Sequence, residues 1–279
     1  MKECDPRGYL QQRLPGETGR RDDLIALFGA LYDCQHRALA GQETIISETA
    51  AALQPLWESG NRPLGKISLF CRDWPGTAEL FAEIERVTCG QENSELPGKL
   101  GKKQIIRFAQ DWIDLNQEAL QLMAEKRWNG DLAQGRFILI YTLYPFMSAL
   151  SERLSLPETD DYAPRCPVCG GGPLLASLTP AGKENQRFGG GNIRRLHCSF
   201  CGTSWVYSRP KCPFCQEENP EKLGFFELPG LTSARVDYCD TCKRYLKTLR
   251  EFPASKMSLL WEDVCTCKLD LAAGQQGYC

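Results

Sequence analysis

An α+β protein, with an N-terminal helical bundle ahead of two small cysteine-rich modules of short antiparallel strands, is the fold class the sequence predicts. Three observations lead to it. Apolar residues recur at three- and four-residue steps through roughly the first 160 positions and lose that spacing afterwards. Eleven of the fifteen cysteines fall from Cys166 onward. Four Cys-x2-Cys pairs lie within the 77 residues from Cys166 to Cys242. The expected boundaries are a helical domain over 1–160, a first module over 161–209 and a second module with a C-terminal tail over 210–279.

The chain has 279 residues, enough for about two domains with a substantial core. Its 42% apolar and 24% charged residues are those of an ordinary soluble globular protein. The stretch Met1–Leu10 carries charges, Pro6 and Gly8, without the apolar run of a signal peptide. Phe137–Ser151 is uncharged but too short to span a bilayer and contains Pro145, so a buried helix is expected and membrane insertion is not. A cytoplasmic location follows as an expectation. In that compartment thiols stay reduced, so fifteen cysteines do not imply a disulfide framework.

Within the first domain, Leu24, Leu27, Phe28 and Leu31 mark one helix, with Asp22 as its expected N-cap. Thr77–Val87 repeats the pattern after Pro75-Gly76. Ile105, Phe108, Trp112, Leu115, Ala119 and Leu122 read as one long stripe ending near Trp128-Asn129-Gly130. A further helix starts near Asp131, carries Phe137, Ile140, Tyr141, Tyr144 and Met147, and is expected to kink at Pro145. About four such helices bury their stripes against one another as a bundle. A polar linker over 155–164 follows.

Beyond the linker, short apolar runs separated by Gly and Pro predict strands at Leu174–Leu178, Ile193–Leu196, Ser204–Tyr207 and Leu223–Leu228. The half also repeats. Arg165-Cys-Pro-Val-Cys-Gly170 resembles Lys211-Cys-Pro-Phe-Cys215, and Leu196-His-Cys-Ser-Phe-Cys201 resembles Asp237-Tyr-Cys-Asp-Thr-Cys242. Trp205 or Tyr245–Leu246 follows each second motif. One module used twice is the simplest reading.

Two residues between cysteines let both sulfurs enter one concavity, and two such knuckles complete a tetrahedral thiolate shell. The candidate ligands are therefore Cys166, Cys169, Cys198 and Cys201 for one ion, and Cys212, Cys215, Cys239 and Cys242 for another. With only His36 and His197 in the chain, thiolate dominates, which favours Zn or Fe over Mg or Ca without choosing between the first two. The paired knuckles are separated by 28 and 23 residues, above the common ribbon range of about 15–20. Gly189–Gly191 accounts for part of the excess as an insertion. Sequential pairing is expected, with an interleaved pairing as the alternative. Closed thiolate shells speak for a structural metal and against hydrolytic zinc chemistry; electron transfer is the alternative if the metal is iron.

Charge weighs against nucleic acid as a partner. From Arg165 onward there are 15 Lys and Arg against 11 Asp and Glu, and two loaded Cys4 sites of net charge minus two each would cancel that surplus. Before Arg165 the balance is 18 against 24. Other features read blandly. His197 is a packed or solvent-facing histidine rather than a partner of a sulfur, and Arg194–Arg195 and Lys243–Arg244 are solvated charge pairs. The glycine runs are turns. Cys265, Cys267 and Cys279 are free thiols, with a third metal as the alternative. No Ser/His/Asp or Cys/His catalytic set is recognisable.

The combination resembles a known family. A helical N-terminal half, Cys-Pro-Val-Cys-Gly170, Leu196-x-Cys-x-x-Cys-x3-Trp205, Arg209-x-x-Cys-Pro-x-Cys215 and Cys239-x-x-Cys-x-x-Tyr-Leu-Lys247 are similar to the formate dehydrogenase accessory protein family, FdhE. The tail Trp261-Glu-Asp-Val, Leu269-Asp270 and Gly277-Tyr278 also resembles that family's ending. The resemblance implies two rubredoxin-like, zinc-ribbon modules holding metal through the eight cysteines. It also implies a cytoplasmic, non-enzymatic maturation factor that binds the molybdenum- or tungsten-containing catalytic subunit of formate dehydrogenase. Cys265 and Cys267 stand where the family usually has aliphatic residues, and Glu262-Asp263 replaces two aspartates.

Overall fold

The computed structural model of the chain describes residues 5–14, 18–58, 74, 76–89, 98–154, 163–180, 192–251, 253, 256 and 258–279. Cys4, Cys71, Pro75, most of the linker and the Gly189–Gly191 insertion lie outside them. The chain divides into two compact units, Met1–Leu156 with Val168–Gly170, and Pro157–Pro167 with Gly171–Cys279.

The first unit is helical: α1 (Pro6–Arg13), α2 (Thr18–Leu39), α3 (Glu43–Glu58), α4 (Thr77–Cys89), α5 (Lys102–Ile113), α6 (Gln117–Trp128) and α7 (Leu132–Arg153). Helix α2 begins before Asp22, so that residue lies inside the first turns rather than capping them. The stripe from Ile105 to Leu122 is split between α5 and α6. Leu115 takes a left-handed φ of 57° there, and the Asn116 side chain caps the following N–H of Ala119. Leu115 is consequently 56% exposed instead of buried.

Helix α7 is the axis of the bundle. Asp131 caps it by accepting from the Gln134 N–H, and the helix is buried on all sides from Ile138 to Ser151. It packs against α2, α3, α4 and α6. Its buried Thr and Ser hydroxyls bond within the helix: Thr142 donates to the Ile138 carbonyl, Ser148 to that of Pro145 and Ser151 to that of Ser148. Gly135 gives the Trp128 ring room, since a Cβ there would lie 2.4 Å from the indole. A buried Arg127 guanidinium grips both Glu85 carboxylate oxygens at 2.6 and 2.7 Å and ties α6 to α4.

The second unit is built on one six-stranded sheet in the order β3-β2-β1-β6-β5-β4. Its strands are β1 (Pro173–Pro180), β2 (Asn192–Cys198), β3 (Ser204–Val206), β4 (Leu223–Leu228), β5 (Leu231–Cys239) and β6 (Tyr245–Leu249). Strands β1–β3 form one antiparallel meander and β4–β6 another, so the repeated sequence is a repeated supersecondary unit. A short parallel pairing joins them, Ala176 opposite Thr248 and Ser177 opposite Leu249. One face of the sheet buries Leu175, Ala234, Val236 and Leu249 in a core shared with Leu259, Leu269 and Ala273. These last belong to two tail helices, α8 (Ser258–Cys265) and α9 (Cys267–Gln275). The α+β class holds, with two Cys4 clusters in ribbon-like modules.

Candidate metal centres

Each meander carries the same arrangement: a knuckle, a strand, a second strand ending in cysteine, a second knuckle and a third strand. All four knuckles close by one hydrogen bond from the first cysteine's N–H to the carbonyl five residues on. The pairs are Cys166 to Gly171 (2.8 Å), Cys198 to Thr203 (2.9 Å), Cys212 to Glu217 (2.9 Å) and Cys239 to Arg244 (3.0 Å). The residue after each second cysteine turns the chain through a left-handed conformation: Gly170 (φ 78°), Gly202 (65°), Gln216 (67°) and Lys243 (56°). Glycine is at ease there; the other two are not.

These turns bring the eight named cysteines into two groups of four, Cys166, Cys169, Cys198 and Cys201, and Cys212, Cys215, Cys239 and Cys242. The pairing is sequential. Within each group the sulfurs all lie within 4.8 Å of one another. A tetrahedron with metal–sulfur distances of about 2.3 Å has edges of about 3.8 Å. The observed separations are 3.6 Å for Cys166–Cys201, 3.8 Å for Cys212–Cys242 and 3.6 Å for Cys215–Cys239. The donor set and the spacing therefore fit a tetrahedral ion of thiophilic character, and both groups can hold one.

Backbone donors already point at the sulfurs: the N–H of Phe200 reaches Cys198 and that of Phe214 reaches Cys212, each at 3.4 Å. Thr203 Oγ1 stands 3.2 Å from the Cys201 sulfur. Burial pushes the Cys212 thiol up and the Cys242 thiol up to about 12. Burial also raises Cys239, but N–H groups of Cys242 and Thr241 outweigh it and leave that thiol low. Four thiolates so close together need a cation to be ionised at once.

The centres differ in exposure. All four sulfur-bearing residues of the first are buried, whereas Cys215 of the second is exposed and Cys242 half-buried. His197 is buried beside the first centre with Nε2 2.9 Å from Ser177 Oγ, and burial lowers its pKa to about 3, so it is a neutral, packed group. Cys265 is buried and Cys267 and Cys279 exposed; among the described residues they join no metal-binding group.

The family-like tail residues converge too. Lys247, 4% exposed, places its ammonium 2.7 Å from both Asp263 and Asp270 and 2.8 Å from the Asp263 carbonyl. Tyr245 donates to the other Asp270 oxygen at 2.8 Å. Periodicity gave no sign of this clamp, because its members come from β6, α8 and α9. The charge pair Arg194–Arg195 also divides: Arg194 is buried at 5% exposure instead of solvated.

No protein-family model matches the chain. An FdhE homolog of Aquifex aeolicus is 30% identical over 146 residues, covering 51% of this chain and 48% of that protein. Protein FdhE of Escherichia coli (strain K12 / DH10B) is 32% identical over 114 residues, covering 40% and 34%. The matched segments thus span about half, or less, of these curated relatives. The crystal structure of the FdhE protein from Pseudomonas aeruginosa superposes with a TM-score of 0.62 over 99% of this chain and 92% of that one, at 21% identity, a likeness of fold. With two Cys4 groups on a shared sheet, the chain is similar to FdhE proteins in sequence over these matched segments and shares the fold of one over its length.

Proposed function

We propose that the protein is an accessory factor in the maturation of formate dehydrogenase, acting in the cytoplasm by binding the enzyme's catalytic subunit rather than by catalysis. The reading is supported by two coordinatively closed sulfur tetrahedra on one sheet, in a chain similar to FdhE proteins in part of its sequence and in fold. Cys166, Cys169, Cys198 and Cys201 would hold one ion, and Cys212, Cys215, Cys239 and Cys242 the other, as Zn or Fe. Such an ion supplies a crosslink in place of a core that short modules cannot build. The helical domain over 1–160 and the modules over 161–209 and 210–279 then present surfaces to the partner. Deleting the protein should leave formate dehydrogenase synthesised but inactive, and the catalytic subunit should co-purify with the tagged protein. Full enzyme activity in the deletion strain would overturn the role.

A redox role is the second reading, favoured by the exposure of Cys215, which lets a partner approach the second centre. Anaerobically purified protein would then be red with iron; a colourless protein containing zinc alone ends this alternative.

A further inference from the structure

Opposite the face covered by the tail helices, the sheet borders a cavity of about 620 Å³. Its wall alternates cations with apolar groups. Arg194, Arg209, Lys211, Arg235 and Arg244 line it against one carboxylate, Asp237, with Ile193, Leu246, Phe214 and Phe225 between them. Two of the guanidiniums are laid flat on rings, Arg244 on Phe214 at 3.9 Å and Arg235 on Phe225 at 4.2 Å, a posture that turns N–H edges toward a ligand; Arg235 keeps its Nε 2.7 Å from Asp237, so its terminal nitrogens are the ones that face an incoming group. Arg194 is the most deeply buried. It donates to the Lys211 carbonyl at 3.2 Å, stands 3.8 Å from Asp237, and its Nε has no hydrogen-bond partner. A buried guanidinium so poorly matched is costly for the fold, and an incoming oxyanion would offset that cost.

Charge decides what kind of anion fits. Cys212 and Cys239 belong to the same wall, so a loaded second centre adds a charge of minus two; this count rests on the metal-bound reading above. Five cations against Asp237 and the loaded centre leave about two positive charges, and about one when Lys211, paired with Glu218 at 2.9 Å, is set aside. A nucleic-acid strand, with a phosphate every 3.4 Å or so, brings more negative charge than that surplus can match. One or two carboxylates flanked by apolar side chains match both the charge and the lining.

We propose that this cavity docks a short acidic–apolar peptide segment of a protein partner, with Arg194, Arg235 and Arg244 receiving its carboxylates. The test uses the full chain with its metal content measured, and a fluorescein-labelled Leu-Glu-Val-Glu-Leu peptide followed by anisotropy. Wild-type protein carrying two ions should bind it at least about tenfold more tightly than the Leu-Gln-Val-Gln-Leu peptide, with affinity falling as salt rises. Arg244→Gln, at an exposed position, should lose about tenfold without losing metal; Arg194→Met should lose as much and keep the fold. Equal binding of the two peptides, indifference to Arg244→Gln, or preferential binding of a ten-residue oligothymidylate would overturn the proposal. A chain holding fewer than two ions overturns the metal reading and the charge count with it; a fully loaded chain that ignores the Glu peptide overturns the docking site alone.

Discussion

Pro145 has no N–H, so the carbonyl of Tyr141 one turn earlier loses its helical donor inside a fully buried stretch of α7. Gln35 of α2 supplies the missing bond, its Nε2 donating to Tyr141 O at 2.7 Å. Gln35→Leu should therefore destabilise the helical unit by about 1–3 kcal/mol, the cost of a buried polar group left alone. Denaturant titration of a cycle with Pro145→Ala checks the cause: alanine restores the N–H, so Gln35→Leu should cost much less in that background. Pro145 is visible in the sequence and Gln35 as the compensating donor is not, because 106 residues separate Gln35 from Tyr141 and no local rule links them. The knuckles were more legible, since cysteine spacing reports a chemical need directly. Their left-handed residue was legible at Gly170 and Gly202 and hidden at Gln216 and Lys243. Gln216→Gly should raise the stability of the second module by about 0.5–1 kcal/mol through relief of backbone strain, read as a higher melting temperature with unchanged metal content. A lower melting temperature would mean that Gln216 makes contacts worth more than the strain.

At the scale of elements, β1 to β4 announced themselves by apolar runs, but β5 and β6 did not. Their sequences interleave apolar residues with Arg235, Asp237 and the buried Lys247, whose charges are absorbed by cavity and clamp, so no simple apolar run marks them. The tail helices were missed for a related reason: each has only 8 or 9 residues, too short for a helical period to stand out. What holds them is packing on the sheet and the Lys247 clamp. Burial lowers the Lys247 pKa, but Asp263 and Asp270 more than offset this and leave it raised above 10.5. Asp270 shifts the other way in energetic terms, raised by burial despite Lys247. Lys247 faces two carboxylates and Asp270 one ammonium, so the lysine's direction carries the argument. Its contribution is fully present below pH 10.5 and is lost as pH rises through the higher folded value. Tail docking, followed by hydrogen exchange in α8 and α9, should hold through neutral pH and fail only in strong alkali. Lys247→Met should loosen the tail at neutral pH, by on the order of 2 kcal/mol because both aspartates are partly exposed. It should also abolish the alkaline step. Persistence of that step in the variant would assign it to another group.

Across the whole chain, the repeat in sequence foretold two similar modules but not that they share a sheet. Strand partners in different modules leave no mark on local periodicity, and β1 and β6 meet through only two residue pairs. That narrow seam bears on how the molecule should come apart. The first centre is sealed, with its four cysteines buried, while the second exposes Cys215 and half-exposes Cys242. A chelator or thiol reagent must reach a sulfur or an opened shell, so the second ion should leave first, in a separate kinetic phase. Because binding free energy is folding free energy in such modules, loss of that ion should unfold β4–β6 and release the tail helices that pack on them. The β1–β3 meander should keep its own ion and its antiparallel pairs, with the seam broken and Leu175 uncovered. The helical unit, with an aromatic and aliphatic core of its own around α7, should retain its far-ultraviolet helix signal throughout. Cys215→Ser should reproduce the first phase at equilibrium, giving one ion per chain and exchange protection in β1–β3 only. If both ions leave together, or if that variant loses protection in both meanders, then the seam and the core it borders transmit cooperativity and the sheet folds as a single unit.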